Sequence, residues 1–335
     1  MKSSKKYFFL FIVTLNLLII NGLYADREEA GIISHIVRFI NLKTIAQSNI
    51  WEALETDDLD VFIATLRTGI DVNVAREVHV INPQKEDCLL HESLLEILVY
   101  NKDYAKLSAL LHANAMDFVT LDATKKYDAD DLPILIQAAK YSESIEIRII
   151  VDELLESYLK KEIELDIDAV DPETGNTAIM EAAQYPNSYV LKSFVAAIRY
   201  KGLSVDANIK NKDGKTLIDL AFESQKFPQQ DNFEQISYAL RDGSLKYNFD
   251  ANIYDNGDNF IMRLARIFPY GADEMIHLLD AYKNNKISFD PNLKNKNGDT
   301  LSTLLLRYGG NISYTKLQQN YHFLRTLDNS TFNTP

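Results

Sequence analysis

The residues that could do chemistry are few and scattered. Six histidines stand at 35, 79, 91, 112, 277 and 322, and the single cysteine stands at 88. Cys88-Leu-Leu-His91 is the nearest approach to a nucleophile–base or metal-ligating pair. A metal site would need two further ligands at defined spacing, and a thiol enzyme would need an enclosing pocket. No His-Glu-x-x-His, Gly-x-Ser-x-Gly, glycine-rich phosphate loop or paired-cysteine motif occurs. Two acidic clusters, Asp128-x-Asp130-Asp131 and Asp166-x-Asp168-x-x-Asp171, offer oxygens of the kind Ca²⁺ takes. Neither carries the distal glutamate of a full calcium loop, and aspartates at these places equally serve turns by accepting bonds from their own backbone. The expectation is a non-catalytic protein with no cofactor, no metal and no small-molecule substrate.

The elements that would position any of these groups come from a chain of 335 residues, 46% hydrophobic and 25% charged, with only 12 glycines and 8 prolines. Scarce helix breakers favour helices over a turn-rich β-sandwich. The net charge of −13 opposes phosphate backbones, so no nucleic-acid partner is expected. Residues 1–25 set Lys2, Lys5 and Lys6 before an apolar run from Phe8 to Ile20, then Asn21-Gly22 and Leu23-Tyr24-Ala25 before Asp26. That order predicts a secretory signal cut between Ala25 and Asp26. The alternative is an uncleaved anchor, the one case in which membrane contact is expected, although a spanning helix needs about 20 apolar residues. Removing residues 1–25, which hold three lysines and no acid, takes the charge to −16. Cys88 lies far from the signal, so lipid attachment at a new N-terminal cysteine is closed. A simple signal with a composition rich in Asn, Lys, Ile and Tyr points to the bacterial periplasm, with secretion or anchoring as alternatives. Asn311-x-Ser313 and Asn329-x-Thr331 match the glycosylation sequon.

The rest of the chain repeats. Asp-x-Asn-like elements join glycine-bearing turns at 168–179, 206–218, 250–261 and 290–301, and a helix start follows each glycine by two residues. Anchored on that start, the set is Ser48, Ser93, Pro133, Thr177, Thr216, Asn259 and Thr300, at spacings of 45, 40, 44, 39, 43 and 41. Five residues on stand Ala53, Leu98, Ala138, Ala182, Ala221, Leu264 and Leu305. Ser93-x-x-Glu96 and Thr216-x-x-Asp219 predict capping boxes. Second helices are predicted from the three- and four-residue spacing of Leu107, Leu110 and Leu111, of Val151, Leu154 and Leu155, and of Met275, Leu278 and Leu279. One such helix pair cannot bury both faces, so neighbours must stack.

The run from Ile50 through Ala53, Phe62 and Leu66 to Gly69-Ile-Asp71-Val-Asn73 resembles an ankyrin repeat, as do the Asp213-Gly-Lys-Thr-Leu-Ile218 and Gly298-Asp-Thr-Leu301 loops. The resemblance covers Ser48 to Leu327. The chain departs from the family in keeping the threonine of Thr-Pro-Leu-His while almost never keeping its proline and never its histidine. Tyr185-Pro186-Asn187 and Phe268-Pro269 stand where a glycine would join the helices, and the units exceed the usual 33 residues by about nine. Armadillo and HEAT repeats have that longer period but lack the hairpin before the first helix.

The resemblance implies an all-α solenoid of about seven degenerate helix-turn-helix repeats over 48–310. Capping helices are expected at 26–47 and 311–335, the latter with a tail. It further implies protein binding through hairpin tips and a concave face. The tip residues are Lys210, Lys212, Asp213, Lys215, Asp255, Asp258, Lys294, Lys296 and Asp299, with Tyr254 as an aromatic anchor. The partner is an unidentified protein. The rival reading is a membrane-anchored structural spacer.

Overall fold

A computed structural model describes residues 49–81, 87–126, 132–224, 231–250, 253–267 and 272–308. In chain order these form α1 (Ile50–Glu55), α2 (Leu59–Leu66), β1 (Ala75–Ile81), β2 (Asp87–Ser93), α3 (Leu94–Tyr100), α4 (Tyr104–Ala115), α5 (Ile134–Ala139) and α6 (Ile145–Leu159). There follow α7 (Ala178–Ala183), α8 (Tyr189–Ala196, running on as a π-turn over Ala197–Lys201), α9 (Leu217–Glu223), α10 (Asp231–Asp242), α11 (Phe260–Arg266), α12 (Ala272–Lys283) and α13 (Leu301–Tyr308). The signal segment with Ala25 and Asp26, the capping helices expected at 26–47 and 311–335, Ser48, both sequons and the Asp128–Asp131 cluster lie outside the described residues. None of the described helices is long and apolar enough to cross a membrane.

The chain divides into two compact units. One holds α1, α2 and α4 from Ala105 onward; the other holds most of β1, all of β2 and α3, and everything from Asp122. In the first, Asn73 repeats the logic of a local turn, its amide donating to Asp71 Oδ1 at 2.9 Å while its side chain donates to the Thr120 carbonyl at 2.7 Å. In the second, first helices α3, α5 and α7 pack in sequence, as do second helices α6, α8, α10 and α12.

The first helices of the units are short: α1, α5 and α7 have six residues each. Segments of that length do not persist alone in water, so each needs a defined start and a neighbour. Five of the anticipated positions are N-caps: Ser93, Pro133, Thr177, Thr216 and Asn259. Ser93 and Thr216 make full capping boxes with Glu96 and Asp219. Pro133 has no side-chain bond to give. Thr300 Oγ1 accepts from the Thr303 amide at 3.4 Å ahead of α13. In front of α1 the cap is Asn49, one residue beyond the expected Ser48, with its Oδ1 accepting from Trp51 N at 3.0 Å. Each side-chain cap contributes on the order of 1 kcal/mol. Ala53, Leu98, Ala138, Ala182, Ala221, Leu264 and Leu305 are all buried, as are the apolar triads predicted on α4, α6 and α12.

The all-α expectation needs one correction. β1 and β2 form a two-stranded sheet ahead of α3. The run Val78-His-Val80-Ile81 is β-branched at three of its four positions, and a residue of that kind suits a pleated strand better than a helix. Cys88 and His91 fall within β2.

Turns are closed by the next unit. Asn232, buried at the start of α10, donates its amide to the carbonyls of Ala183 at 3.2 Å and Tyr185 at 2.6 Å, and its Oδ1 accepts from Ser188 N at 3.2 Å. A side chain some fifty residues away thus satisfies carbonyls that the end of α7 leaves open. Nearby, Glu274 on α12 is 4% exposed. Burial, with lesser help from Asp273 and Glu234, pushes its carboxyl up to about 6 from an ordinary 4.5. A raised acid favours the protonated fold, so this stability is present below pH 4.5 and is lost as the pH rises through 6. Glu274→Gln is expected to raise stability at pH 7.5 by about 2 kcal/mol, with the gain vanishing near pH 4; urea unfolding at the two pH values measures it.

Candidate functional site

The tips are carried by four loops: 168–177, 206–216, 248–259 and 290–300. Each is fixed by asparagine and aspartate. Asn208 N donates to Asp206 Oδ1 and Asn292 N to Asp290 Oδ1, both at 2.9 Å, closing the same two-residue side-chain turn. The same kind of side chain reaches to the neighbouring loop. Asp168 Oδ1 accepts from Asp206 N at 3.1 Å, Asn208 Oδ1 from Asn248 N at 2.9 Å, and Asp250 Oδ2 from Asp290 N at 2.8 Å. One such side-chain bond therefore crosses each of the three junctions, in the same register relative to the hairpin glycines at the first and third and shifted by one residue at each end in the middle one. Asp168, which belonged to a possible calcium cluster, serves here as a loop tie. Its neighbour Asp171 is buried and pairs with Lys140 Nζ at 3.1 Å. Burial would raise the Asp171 carboxyl, but the Glu173 amide and Lys140 hold it below its usual value. Among the described residues no group of three or more His, Cys, Asp or Glu is placed to hold a metal ion.

Two of the junctions have a second tie at the hairpin itself. Lys212 N donates to the Thr174 carbonyl and Lys296 N to the Asn256 carbonyl, each at 3.0 Å. The backbones come so close that a Cβ on Gly175 would lie 2.9 Å from Lys212 N, and one on Gly257 2.8 Å from Lys296 N. Gly214 and Gly298 have nothing within 4 Å of such an atom. The glycines at 175 and 257 are thus required by approach as well as by their positive φ of 75° and 82°.

The tip residues separate into two groups. Lys210, Lys212, Asp213, Asp255, Lys294 and Lys296 are exposed, with Lys212 Nζ tethered to the Pro172 carbonyl at 2.6 Å. The others are taken up internally. Asp258 is fully buried and accepts from Asn256 Nδ2 at 2.6 Å, Asn295 Nδ2 at 2.8 Å and Arg266 Nη2 at 3.1 Å. Burial opposes its charge, yet Arg266 and the two asparagines hold the carboxyl below its ordinary value. Asp299 makes a two-pronged pair with Arg307 at 2.7 and 2.8 Å. Lys215 pairs with Glu223 at 2.7 Å. Three of these pairs join the residue before a cap to one eight positions on, at the far end of the first helix. Register is shared while the sign of the charge is not.

Tyr254, expected as an aromatic anchor, is half-buried and held by its neighbours. Its hydroxyl donates to Asp219 Oδ1, and Arg263 lies 4.9 Å over its ring. Burial first, and the Asp219 carboxylate second, push the phenol far above its usual range, so it stays protonated. Arg263 also lies 5.1 Å over Phe222 and reaches Glu223 Oε1 at 3.0 Å. Phe222 occupies the position where Ala139, Ala183 and Ala265 stand in other units. Its ring meets Phe260 edge-on at 5.5 Å and Phe233 at 5.8 Å. A ring in place of a methyl group keeps α9 and α11 from the close approach that α7 makes to α9. A cleft of about 520 Å³ opens there, between the hairpins at 213–215 and 253–258.

No protein-family model matches the chain, and no curated protein matches it. Among solved structures the chain is similar to an ankyrin repeat protein at 17% identity and a TM-score of 0.41, over 68% of this chain and 94% of that one. It is also similar to a chain in the complex of a predatory endopeptidase from Bdellovibrio bacteriovorus with its immunity protein. There the identity is 21% and the TM-score 0.30, over 58% of this chain and 99% of the other.

The two classes of glycine should respond differently. Gly298→Ala meets only the left-handed backbone penalty and is expected to cost roughly 1 kcal/mol. Gly257→Ala must also displace the Lys296 backbone and is expected to cost at least twice as much. Urea unfolding followed by helicity compares them.

Proposed function

We propose that the chain is an exported, divergent ankyrin-type solenoid of about seven long units that binds a protein partner and performs no catalysis. The observation that carries this reading is the loop-to-loop ladder from Asp168 through Asn208 to Asp250. It spends the polar side chains of the loops on holding register and leaves a row of exposed lysines and aspartates whose identity the scaffold does not need. Such a surface suits recognition, where a few side chains carry specificity and the remainder exclude water. The signal is removed between Ala25 and Asp26, and the mature protein resides in the periplasm. Lys210, Lys294, Lys296, Asp213 and Asp255 are the contact candidates, with Lys212 dividing its role between partner and loop tether.

Replacing Lys210, Lys212, Lys294 and Lys296 with glutamate is expected to leave helicity unchanged and abolish partner capture in cross-linked cells of the source organism. Unchanged capture would sink the tip reading. The intact mass of the cell-derived protein decides the remaining alternative. A chain that begins at Asp26 excludes the membrane-anchored spacer, and one that retains residues 1–25 establishes it.

A further inference from the structure

The tip-to-tip ladder omits one rung, and the omission has a defined chemistry. At two junctions the amide two residues before one hairpin's glycine donates to the carbonyl just before the preceding hairpin's glycine: Lys212 to Thr174, and Lys296 to Asn256. The same register at the intervening junction would join the Asp255 amide to the Asp213 carbonyl. No such bond forms, and no backbone bond joins 211–215 to 253–258 among the described residues. Phe222 keeps the first helices apart there, and the cleft lies between the two tips.

The cleft offers three things to an occupant. Its tips present an unused donor, Asp255 N–H, facing the register position of an unused acceptor, Asp213 C=O. Its walls include the half-buried Tyr254 ring and Ile253, which is 47% exposed. Its rims carry the exposed carboxylates of Asp213 and Asp255, which make no hydrogen bond or ion pair among the described residues. The cations of the cleft are already committed: Lys215 and Arg263 to Glu223, and Arg266 to Asp258. Lys215 feels the Asp213 charge as well, but the side chains left exposed on the two rims without a direct pair are both carboxylates.

We propose that this cleft receives an extended segment of the partner protein bearing an arginine or lysine. The segment's backbone carbonyl accepts from Asp255 N–H, its amide donates to Asp213 C=O, and its cationic side chain lies between the two rim carboxylates. The missing rung is thereby supplied by another chain, in the manner of strand addition at an open backbone edge. An acidic or phosphorylated segment would meet like charge and is rejected. This inference rests on the reading that the tips bind protein, and it assigns one place and one sign of charge to that binding.

The test is selection of a random heptapeptide display library on the full-length mature protein, run in parallel on the Asp213→Asn/Asp255→Asn double variant. Both side chains are exposed, so the variant should keep the parent's melting temperature, which is measured first. The expected result is enrichment of Arg- or Lys-bearing peptides on the parent and at least tenfold weaker enrichment of them on the variant. A selected peptide, made synthetically, should slow hydrogen exchange of the Asp255 amide and leave that of Lys212 and Lys296 unchanged. Equal enrichment on both proteins, enrichment without basic residues, or no enrichment on either overturns the proposal. Partner capture that depends on the tip lysines while the cleft fails this selection defeats the cleft alone and leaves the tip reading standing. Loss of both defeats the two together.

Discussion

A helix of six residues gains too few internal hydrogen bonds to repay the ordering of its own backbone. Everything in this protein follows from that shortfall. A first helix is started by a side chain that satisfies its leading amides (α5, behind Pro133, is the exception), flanked by neighbours that cover its faces, and closed by a group that donates to its trailing carbonyls. Ser93, Thr177, Thr216 and Asn259 do the first. Buried small or apolar residues at a fixed offset allow the second. Asn232, reaching back to the turn after α7, shows the third. No unit is self-sufficient, so stability resides in the junctions.

The junctions are where the chain permits itself variation. The side-chain bond from loop to loop recurs at every one of these junctions, yet the residues before the caps run through Asn176, Lys215, Asp258 and Asp299. Three of these reach a partner of opposite charge at the end of the same helix. A partly buried pair of this kind adds little net stability over apolar residues of the same volume, but leaving one member behind is costly. The pairs therefore constrain one another more than they strengthen the fold. Where Phe222 replaces a small residue the junction takes a different form, with a ring cluster inside and a cleft outside. The same substitution explains why Arg263 lies over two aromatic rings, since the space beside Phe222 must be filled by something long and flat.

Much of the scaffold was legible in the sequence because its signals are local. A cap and its amide lie three residues apart, so Ser93 with Glu96 and Thr216 with Asp219 declare themselves, and the buried residue five positions after each cap follows by period. The site was harder to read. Lys210, Lys294 and Lys296 sit in turns and are exposed, as their turn residues imply. Tyr254 sits in a turn too, but its partner Asp219 is thirty-five residues earlier, and nothing local announces the pairing. Asp258 and Asp299 looked like surface charge, although the arginine eight residues after each was visible. The β1–β2 pair before α3 breaks the helical period of the rest of the chain, and the alternating Val78 and Val80 were the available clue. Phe222 gave no signal in the sequence, because the position six residues past each helix start holds Leu54, Val99 and Leu306 as well as Ala139, Ala183 and Ala265, and its effect depends on the neighbouring helix.

The Phe222 junction also sets how the longer unit carries load. Tension transmitted along stacked repeats is borne at each junction by loop ties and close-packed helices acting in parallel. At 174–212 and 256–296 the hairpins are tied backbone to backbone, whereas between α9 and α11 the load passes through aromatic rings, charged side chains and side-chain bonds such as Asn208–Asn248 and Thr216–Tyr247. That junction is the compliant one. Under load, slip between neighbouring loops would begin there before it began at either of the two tied hairpins.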